Sequence, residues 1–289
     1  MAMRDGIGAI DLMIGFPSAD ARAHYENLRK MSKDAESATM EFPAEYMFKK
    51  VPNYLPEGAD PVEVTLQEME VCGVDAGLVG CTMPAGQRAL KEHPTKFFGS
   101  LEVDPNDITG SVRAIRKAKD DWDIKAVTTF PAGCNPQVPV SDRRYYPIFQ
   151  TCIDLDIPMI ANAGIAGPRV PSACQDVMHF DQVCYDFPEL RIIMRHGAEP
   201  WEELAWKLML KWPGLYYMPS GFAPKYYPEA IIKYANSRGA DKVLYAGYYP
   251  MGLSLRRIAE EMQNVPLKDE VWPKFLRDNA VRALKLDRT

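Results

Sequence analysis

The sequence predicts an α/β fold in which eight parallel strands close into a (β/α)8 barrel, a TIM barrel, inside a ring of helices. The chain has 289 residues, a length that suits one barrel of this kind. Short apolar segments rich in β-branched residues alternate with amphipathic segments at intervals of roughly 30 residues, as in repeated β-α units. Eight strand segments can be distinguished, which is the number that closes such a barrel.

Most of the predicted strands are followed by a predicted helix. The strands are predicted over 7–12, 74–80, 96–102, 124–129, 157–162, 191–196, 214–219 and 242–247. The helices are predicted over 62–72, 107–120, 144–155, 173–186, 200–211, 226–237 and 253–263, with a closing helix over 270–285. Asp107 and Asp142 are predicted N-caps. Gly239 is predicted to end the helix that follows Pro228.

One connection is much longer than the others. Residues 16–60, between the first strand and the first helix, exceed a simple β-α loop and include Tyr46, Phe48 and Tyr54 together with several prolines. A long insertion at the C-terminal face of a barrel usually carries function, so we predict a lid or an interface. The alternative is a packed surface excursion. Since no change in composition marks a second domain, residues 1–289 are predicted to form one domain.

Composition and charge argue against several classes of partner. The net charge of −5 and the lack of a basic cluster argue against nucleic acid as a partner. No apolar run approaches the ~20 residues that span a membrane, and the first residues lack the pattern of a signal peptide. The six cysteines show no Cys-x-x-Cys pair, so we expect reduced thiols. These features predict a cytoplasmic protein.

Four segments at the ends of predicted strands carry the most specific pattern. They lie at residues 10–15, 160–164, 194–197 and 245–250. Together with the segment at 187–193 and the closing-helix segment at 275–280, they resemble the amidohydrolase-related family, which includes aminocarboxymuconate-semialdehyde decarboxylase. The resemblance runs from about residue 7 to the C-terminus. It implies a TIM barrel and a hydrolase or carboxy-lyase (decarboxylase) activity.

The same segments depart from the family where the resemblance implies metal ligands. Met13 and Asn162 stand where histidine is usual, Tyr248 stands where aspartate is usual, and only His196 is retained. A thioether, an amide or a phenol does not replace imidazole or carboxylate on a divalent ion. We therefore expect no cofactor and no bound divalent metal.

Three residues are predicted to be catalytic, because side chains at the C-terminal ends of barrel strands point into the active face. His196 is the predicted acid/base, since its unperturbed pKa lies near neutrality. Tyr248 can donate to a developing oxyanion, and Asp11 can serve as a base where no metal neutralises it. For each residue the alternative is a structural role.

A second set is predicted to bind the substrate. The amide of Asn162 suits a carbonyl or carboxylate, and the guanidinium of Arg169 suits a carboxylate through two parallel hydrogen bonds. The remaining members are Met13, Thr128, Ser220 and Tyr249. Arg195 is left out of the site, because alternation along the strand predicts that it points away from the barrel interior when His196 points inward.

These observations and the resemblance together predict the function. The predicted protein is a metal-independent enzyme that hydrolyses or decarboxylates a small cyclic or aromatic carbonyl or carboxylate compound, or cleaves another C–C bond in it. The alternative is a catalytically inactive barrel that binds a small molecule or a partner protein. The resemblance is also compatible with a homodimer.

Overall fold

A computed structural model of the chain has seven parallel strands in one curled sheet, ordered along the sheet as they are along the chain. The structure describes residues 2–20, 22–48 and 55–286. The strands are β1 (Ala9–Asp11), β2 (Val74–Gly80), β3 (Phe97–Glu102), β4 (Ala126–Thr129), β5 (Met159–Asn162), β6 (Ile192–Arg195) and β7 (Leu215–Met218). The predicted TIM-barrel fold is confirmed.

The eighth position of the barrel is occupied by an extended segment, residues 242–249, and not by the regular strand that was predicted. A parallel bridge joins Val243 of this segment to Tyr217 on β7. On the other side, the amide of Leu12 donates to the carbonyl of Tyr245 at 3.4 Å. The segment therefore lies between β7 and β1 and closes the barrel.

This segment fails to form a ladder because two of its amides bond outside the sheet. The amide of Tyr245 donates to the carbonyl of Phe275 in the closing helix at 2.9 Å. The amide of Gly247 donates to the carboxylate of Asp11 at 2.7 Å. Since a regular strand needs its amides for its neighbours, the segment keeps an extended path with isolated bridges.

Helices surround the sheet. They are α1 (Glu26–Met31), α2 (Pro61–Cys72), α3 (Pro84–Glu92), α4 (Ile108–Trp122), α5 (Tyr146–Asp154), α6 (Met178–Asp186), α7 (Glu202–Lys211), α8 (Glu229–Ala235), α9 (Leu255–Met262) and α10 (Asn279–Leu284). The predicted helices are present, but most are shorter than predicted. A π-helical turn, Lys274–Asp278, precedes α10 in the closing helix.

The predicted helix ends are partly confirmed. The carboxylate of Asp107 accepts the amide hydrogen of Gly110 at the start of α4, and that of Asp142 accepts from Arg144 in the turn before α5. The expectation for Gly239 is wrong, because α8 already ends at Ala235.

Helix α3 was not predicted from the sequence. It starts at a proline, which is compatible with a first helical position, but Gly86 weakens the helical pattern. The glycine is required by packing, since a Cβ on Gly86 would lie 2.0 Å from the carbonyl oxygen of Gly80. The helix therefore approaches the end of β2 closely at a point where only glycine fits.

The apolar core has two layers. The larger layer lies between the sheet and the helices and includes Phe97, Phe149 and Trp272. The smaller layer fills the barrel interior and is built from Ile10, Leu12, Leu78, Ala126, Ile160, Ile193, Met218, Leu244 and Ala246. All six cysteines are buried and unpaired. Within the described ranges, no helix has the length and apolarity needed to cross a membrane.

Candidate active site

The polar residues of the site begin where the apolar layer inside the barrel ends. Ile160 and Ile193 belong to that layer, and side chains two residues apart on a strand share a face. Asn162 and Arg195 therefore follow them on the inner face, and the two are register partners on β5 and β6. They lie at the C-terminal mouth of the barrel.

Arg195 is a buried cation at this mouth, with 8% of its surface exposed. Its Nε donates to Oδ1 of Asn162 at 2.6 Å, and the nearest carboxylate oxygen in the described chain is Oε2 of Glu102, 3.9 Å from Nη2. Burial lowers the pKa of Arg195. The prediction that Arg195 points away is wrong. His196 has φ of 71°, and this left-handed residue breaks the alternation from which the prediction was counted.

Ser220, in the loop that follows β7, holds His196 in place. Nδ1 of His196 lies 3.2 Å from the carbonyl oxygen of Ser220, and the amide of His196 donates to the Ser220 hydroxyl at 3.3 Å. Nδ1 also lies 3.2 Å from the Ser220 hydroxyl. Because the carbonyl only accepts and the hydroxyl can accept as well as donate, these contacts favour the tautomer with the proton on Nδ1 and the lone pair on Nε2. Burial, followed by the charge of Arg195, lowers the pKa of His196 to about 3, so the ring is neutral near pH 7.

Tyr248 packs against this histidine. The ring centroids of Tyr248 and His196 are 5.3 Å apart with an interplanar angle of 86°. Burial raises the pKa of Tyr248 to about 12, with an opposing contribution from the charge of Arg195. Its phenol therefore keeps its proton at neutral pH and acts as a hydrogen-bond donor.

The insertion covers Tyr248 with aromatic rings. Phe48 stacks on it at 5.9 Å, and Phe42 meets it edge-on at 6.1 Å. Tyr25, from the same insertion, packs against Phe42 at 5.3 Å. The described part of the insertion thus lies over the mouth of the barrel, as a lid would, while Tyr54 falls outside the described residues.

Asp11 is fully buried and lies at the seam between β1 and the eighth segment. Its carboxylate accepts from the amides of Met13 and Gly247, at 2.9 and 2.7 Å, and from the hydroxyl of Tyr245 at 3.3 Å. Burial raises the pKa of Asp11 against the opposing effect of these bonds. The carboxylate of Asp11 therefore connects β1 to the eighth segment of the barrel.

Four other predicted site residues occupy different surroundings. Ser220 is buried beneath His196. Thr128 is buried on β4 as the register partner of Glu102. Met13 packs against the apolar layer inside the barrel. Tyr249 is buried, and burial raises its pKa to about 12.

Arg169 binds the insertion. Its Nη1 lies 2.8 Å from carboxylate oxygens of both Asp34 and Glu36, and its guanidinium stacks over the ring of Tyr46 at 4.7 Å. The hydroxyl of Tyr46 donates to the carbonyl of Gly167 at 2.7 Å. These contacts tie the insertion to the loop that follows β5.

A cavity of about 550 Å³ lies beside the mouth on the β1–β2 side. Its wall is largely apolar and includes Phe16, Val79, Met83 and Pro250, with Tyr25 on the wall as well. None of the predicted catalytic or substrate-binding residues lines this cavity. The barrel mouth therefore has a polar part around Arg195 and an apolar part around this cavity.

Glu102 was missed by the sequence analysis. It is the last residue of the predicted strand 96–102. Burial lowers the pKa of Arg195, and the carboxylate of Glu102 partly offsets that lowering. The sequence did contain a signal for this residue. Glu102 is a polar residue at the C-terminal end of a predicted barrel strand, and this position selected most of the other candidates.

A family model described as Amidohydrolase matches residues 19–286. The chain belongs to the amidohydrolase family. This confirms the resemblance inferred from the motifs at the strand ends. No curated protein has a sequence that matches the chain.

Solved structures extend the likeness of this amidohydrolase at the level of the fold. An uncharacterized TIM-barrel protein from Bordetella bronchiseptica shares 23% identity and a TM-score of 0.73, over 96% of this chain and 98% of that one. 5-Carboxyvanillate decarboxylase from Novosphingobium aromaticivorans shares 18% identity and a TM-score of 0.68, over 97% of each chain. A probable 2-pyrone-4,6-dicarboxylic acid hydrolase from Acinetobacter baumannii shares 12% identity and a TM-score of 0.67, over 97% of this chain and 100% of that one.

These structures overturn the expectation about metal. The 5-carboxyvanillate decarboxylase was solved in complex with manganese. The prediction from the sequence that no divalent metal belongs to the site is therefore wrong, because structural neighbours of this amidohydrolase hold one.

The donors of this chain fit such an ion poorly. Among the described residues, no group of three or more His, Cys, Asp or Glu side chains is placed to hold a metal. His196 offers one imidazole, while Met13, Asn162 and Tyr248 offer a thioether, an amide and a phenol, which are not the usual ligands of manganese. No chemical step is therefore assigned to an ion here.

Proposed function

We propose that this amidohydrolase is an enzyme that hydrolyses or decarboxylates a small cyclic or aromatic compound bearing a carbonyl or carboxylate group, with His196 as the acid/base. The reaction takes place at the C-terminal mouth of the barrel, as in TIM-barrel enzymes in general. The relatives reported above include a decarboxylase and a probable hydrolase of ring carboxylates, which supports this range of reactions.

The observation that carries the proposal is the orientation of His196. The Ser220 carbonyl accepts from Nδ1, which leaves the lone pair of Nε2 facing a reacting group. Burial and the charge of Arg195 lower the pKa of the ring to about 3, so Nε2 becomes an effective proton acceptor when a substrate anion offsets the charge of Arg195. Tyr248 lies against the same ring and keeps its phenolic proton. A proton acceptor and a neutral hydrogen-bond donor therefore adjoin each other at the strand ends.

For an ester or lactone substrate these groups have the following roles in hydrolysis. Nε2 of His196 takes a proton from water as the water oxygen bonds to the carbonyl carbon. The carbonyl electron pair moves onto its oxygen, which accepts a hydrogen bond from Tyr248. When the intermediate collapses, the C–O bond to the leaving oxygen breaks, and the proton on Nε2 passes to that oxygen.

The apolar cavity beside the mouth supports a substrate with a ring. Its wall of Phe16, Val79, Met83 and Pro250 suits an apolar cyclic body, since small-molecule sites combine an apolar wall with a few oriented polar groups. Tyr25 lines the cavity and packs against the aromatic cover of Tyr248, so the cavity and the polar residues adjoin.

The proposal is tested by screening turnover of cyclic and aromatic carboxylates and lactones. The assay contains MnCl2. An ion that was lost during purification is thereby replaced, so a missing metal is not the cause of a negative result. Release of CO2 identifies decarboxylation, and incorporation of one oxygen from labelled water identifies hydrolysis. We expect at least one compound to be converted by one of these routes. Tight binding without conversion across the panel would contradict the proposal.

A non-catalytic binding protein is the second candidate. The observation in its favour is the chemistry of Met13, Asn162 and Tyr248, which are not usual metal ligands and which occupy positions where the resemblance implies ligands. It predicts that ring carboxylates raise the thermal stability of the protein while none of them is converted. The same screen therefore separates the two candidates.

A further inference from the structure

We infer that Arg195 is the residue that binds a carboxylate of the substrate, and that this carboxylate is retained in the product. The inference rests on the proposed function and assigns its substrate class: a ring compound with an anionic group that does not react.

The first support is the imbalance of charge around Arg195. The residue is more than nine-tenths buried, and Asn162, its hydrogen-bond partner, is neutral. The carboxylate of Glu102 is 3.9 Å away, beyond hydrogen-bond distance, and its side chain is 65% exposed. Because burying an incompletely paired charge is costly, a bound anion would stabilise this arrangement.

The second support is the geometry of the guanidinium. The side chain of Asn162 accepts a hydrogen bond from Nε of Arg195 only. The two terminal nitrogens make no hydrogen bond to the described residues, and the carboxylate nearest to Nη2 is that of Glu102 at 3.9 Å. A guanidinium with free terminal donors can receive both oxygens of a carboxylate.

The third support comes from the contrast with Arg169. That arginine already has two carboxylates at 2.8 Å and lies over an aromatic ring. A substrate carboxylate at Arg169 would have to displace Asp34 or Glu36. At Arg195 no carboxylate of the described chain lies within hydrogen-bond distance, so none has to be displaced and the anion is expected there.

The chemistry of decarboxylation indicates which carboxylate binds. When CO2 leaves, the electrons of the broken C–C bond and the negative charge stay on the ring carbon, which then takes a proton. The charge thus moves away from the departing carboxylate, and an ion pair between that carboxylate and buried Arg195 stabilises the ground state more than the transition state. Such binding would raise the barrier to losing that group. A carboxylate held by Arg195 therefore stays on the molecule and orients the reacting carbon or carbonyl near His196.

The test measures the preference for a carboxylate over its neutral isostere. Dissociation constants of benzoate and benzamide are determined by ligand-observed NMR on the full chain and on Arg195→Met, Arg195→Lys and Arg169→Met. The parent is expected to bind benzoate more tightly by about tenfold to a hundredfold, as charge-assisted hydrogen bonds allow. Arg195→Met is expected to bring this ratio to about one. Arg195→Lys should keep part of it, because the charge remains without the planar donor pair.

Two results would overturn the inference: a parent with no preference for benzoate, or an Arg195→Met variant that keeps the preference while Arg169→Met loses it. Should Arg195→Met fail to fold, as judged by circular dichroism, the ratio for Arg195→Lys decides, and an unchanged ratio there overturns the inference. Lys91→Leu, an exposed change at the end of α3 and outside the site, should keep the ratio of the parent. A failure of the proposed function would thus appear in turnover alone, and a failure of this inference would appear in the binding ratio.

Discussion

The barrel mouth has two unlike parts. Around the ends of β5 and β6 it is polar, with a buried cation, an amide and a neutral imidazole in Arg195, Asn162 and His196. Beside β1 and β2 it is an apolar cavity of about 550 Å³. The difference indicates a ligand with an anionic end and an apolar ring. Proton transfer is expected only in the polar part, because the described cavity wall is largely apolar.

The largest effect is expected for His196→Asn, which removes the proton acceptor from the polar part. Turnover of a converted compound should fall by a factor on the order of 10²–10⁴, the usual contribution of a positioned acid/base. Circular dichroism and the benzoate dissociation constant serve as controls for folding and binding. If turnover is unchanged, His196 is not the acid/base.

A smaller loss is expected for Tyr248→Phe. The variant removes one hydroxyl and keeps the ring that packs between His196 and Phe48. Turnover should fall by a factor of at most about 10²–10³, as for the loss of one oxyanion donor, and mainly in kcat. Phe42→Leu, which changes the aromatic cover without removing a donor, is the matched control. Equal losses in the two variants would assign Tyr248 to packing.

Asp11→Ala tests the seam between β1 and the eighth segment of the barrel. Asp11 accepts two backbone amides and the hydroxyl of Tyr245, and alanine removes all of these acceptors, so we expect the free energy of unfolding to fall by about 1–3 kcal/mol. The exposed change Asp5→Ala is the control. Since burial raises the pKa of Asp11, its protonation stabilises the folded state below pH 3.8. That contribution is lost as the pH rises through the raised pKa. Denaturant unfolding from pH 3 to pH 7 measures both effects, and a stable but inactive variant would instead indicate a base.

The smallest effect is expected from narrowing the apolar part. Gly80 lines the cavity, and a Cβ there meets no atom within 4 Å. Gly80→Leu should therefore fold and weaken the binding of ring carboxylates by about tenfold, the lower end of the effect of one methylene group in an apolar pocket, because the added side chain enters at the open edge of the cavity. Lys91→Leu, on the exposed surface of α3, is the control. If the variant binds every ring compound in the panel as the parent does, this cavity is not part of the substrate site.

The sequence was most informative about the fold and about which strand ends form the mouth. Periodicity gave the barrel, and the strand-end motifs gave Asn162, His196 and Tyr248. It failed at Arg195, because alternation was counted through His196, whose left-handed conformation is a property of the folded loop. It also did not indicate the contacts of Arg169, since Asp34 and Glu36 are more than 130 residues away in sequence. Local patterns contain no information on such pairings, which the insertion creates only when it folds over the mouth.

The most direct test is a crystal structure of the chain grown with benzoate. We predict that both carboxylate oxygens lie about 2.7–2.9 Å from the guanidinium nitrogens of Arg195, with the ring directed toward the apolar cavity and His196 beside it. A carboxylate bound at Arg169 or at any other site, with Arg195 left unliganded, would contradict the assignment of the anion to the polar part of the mouth.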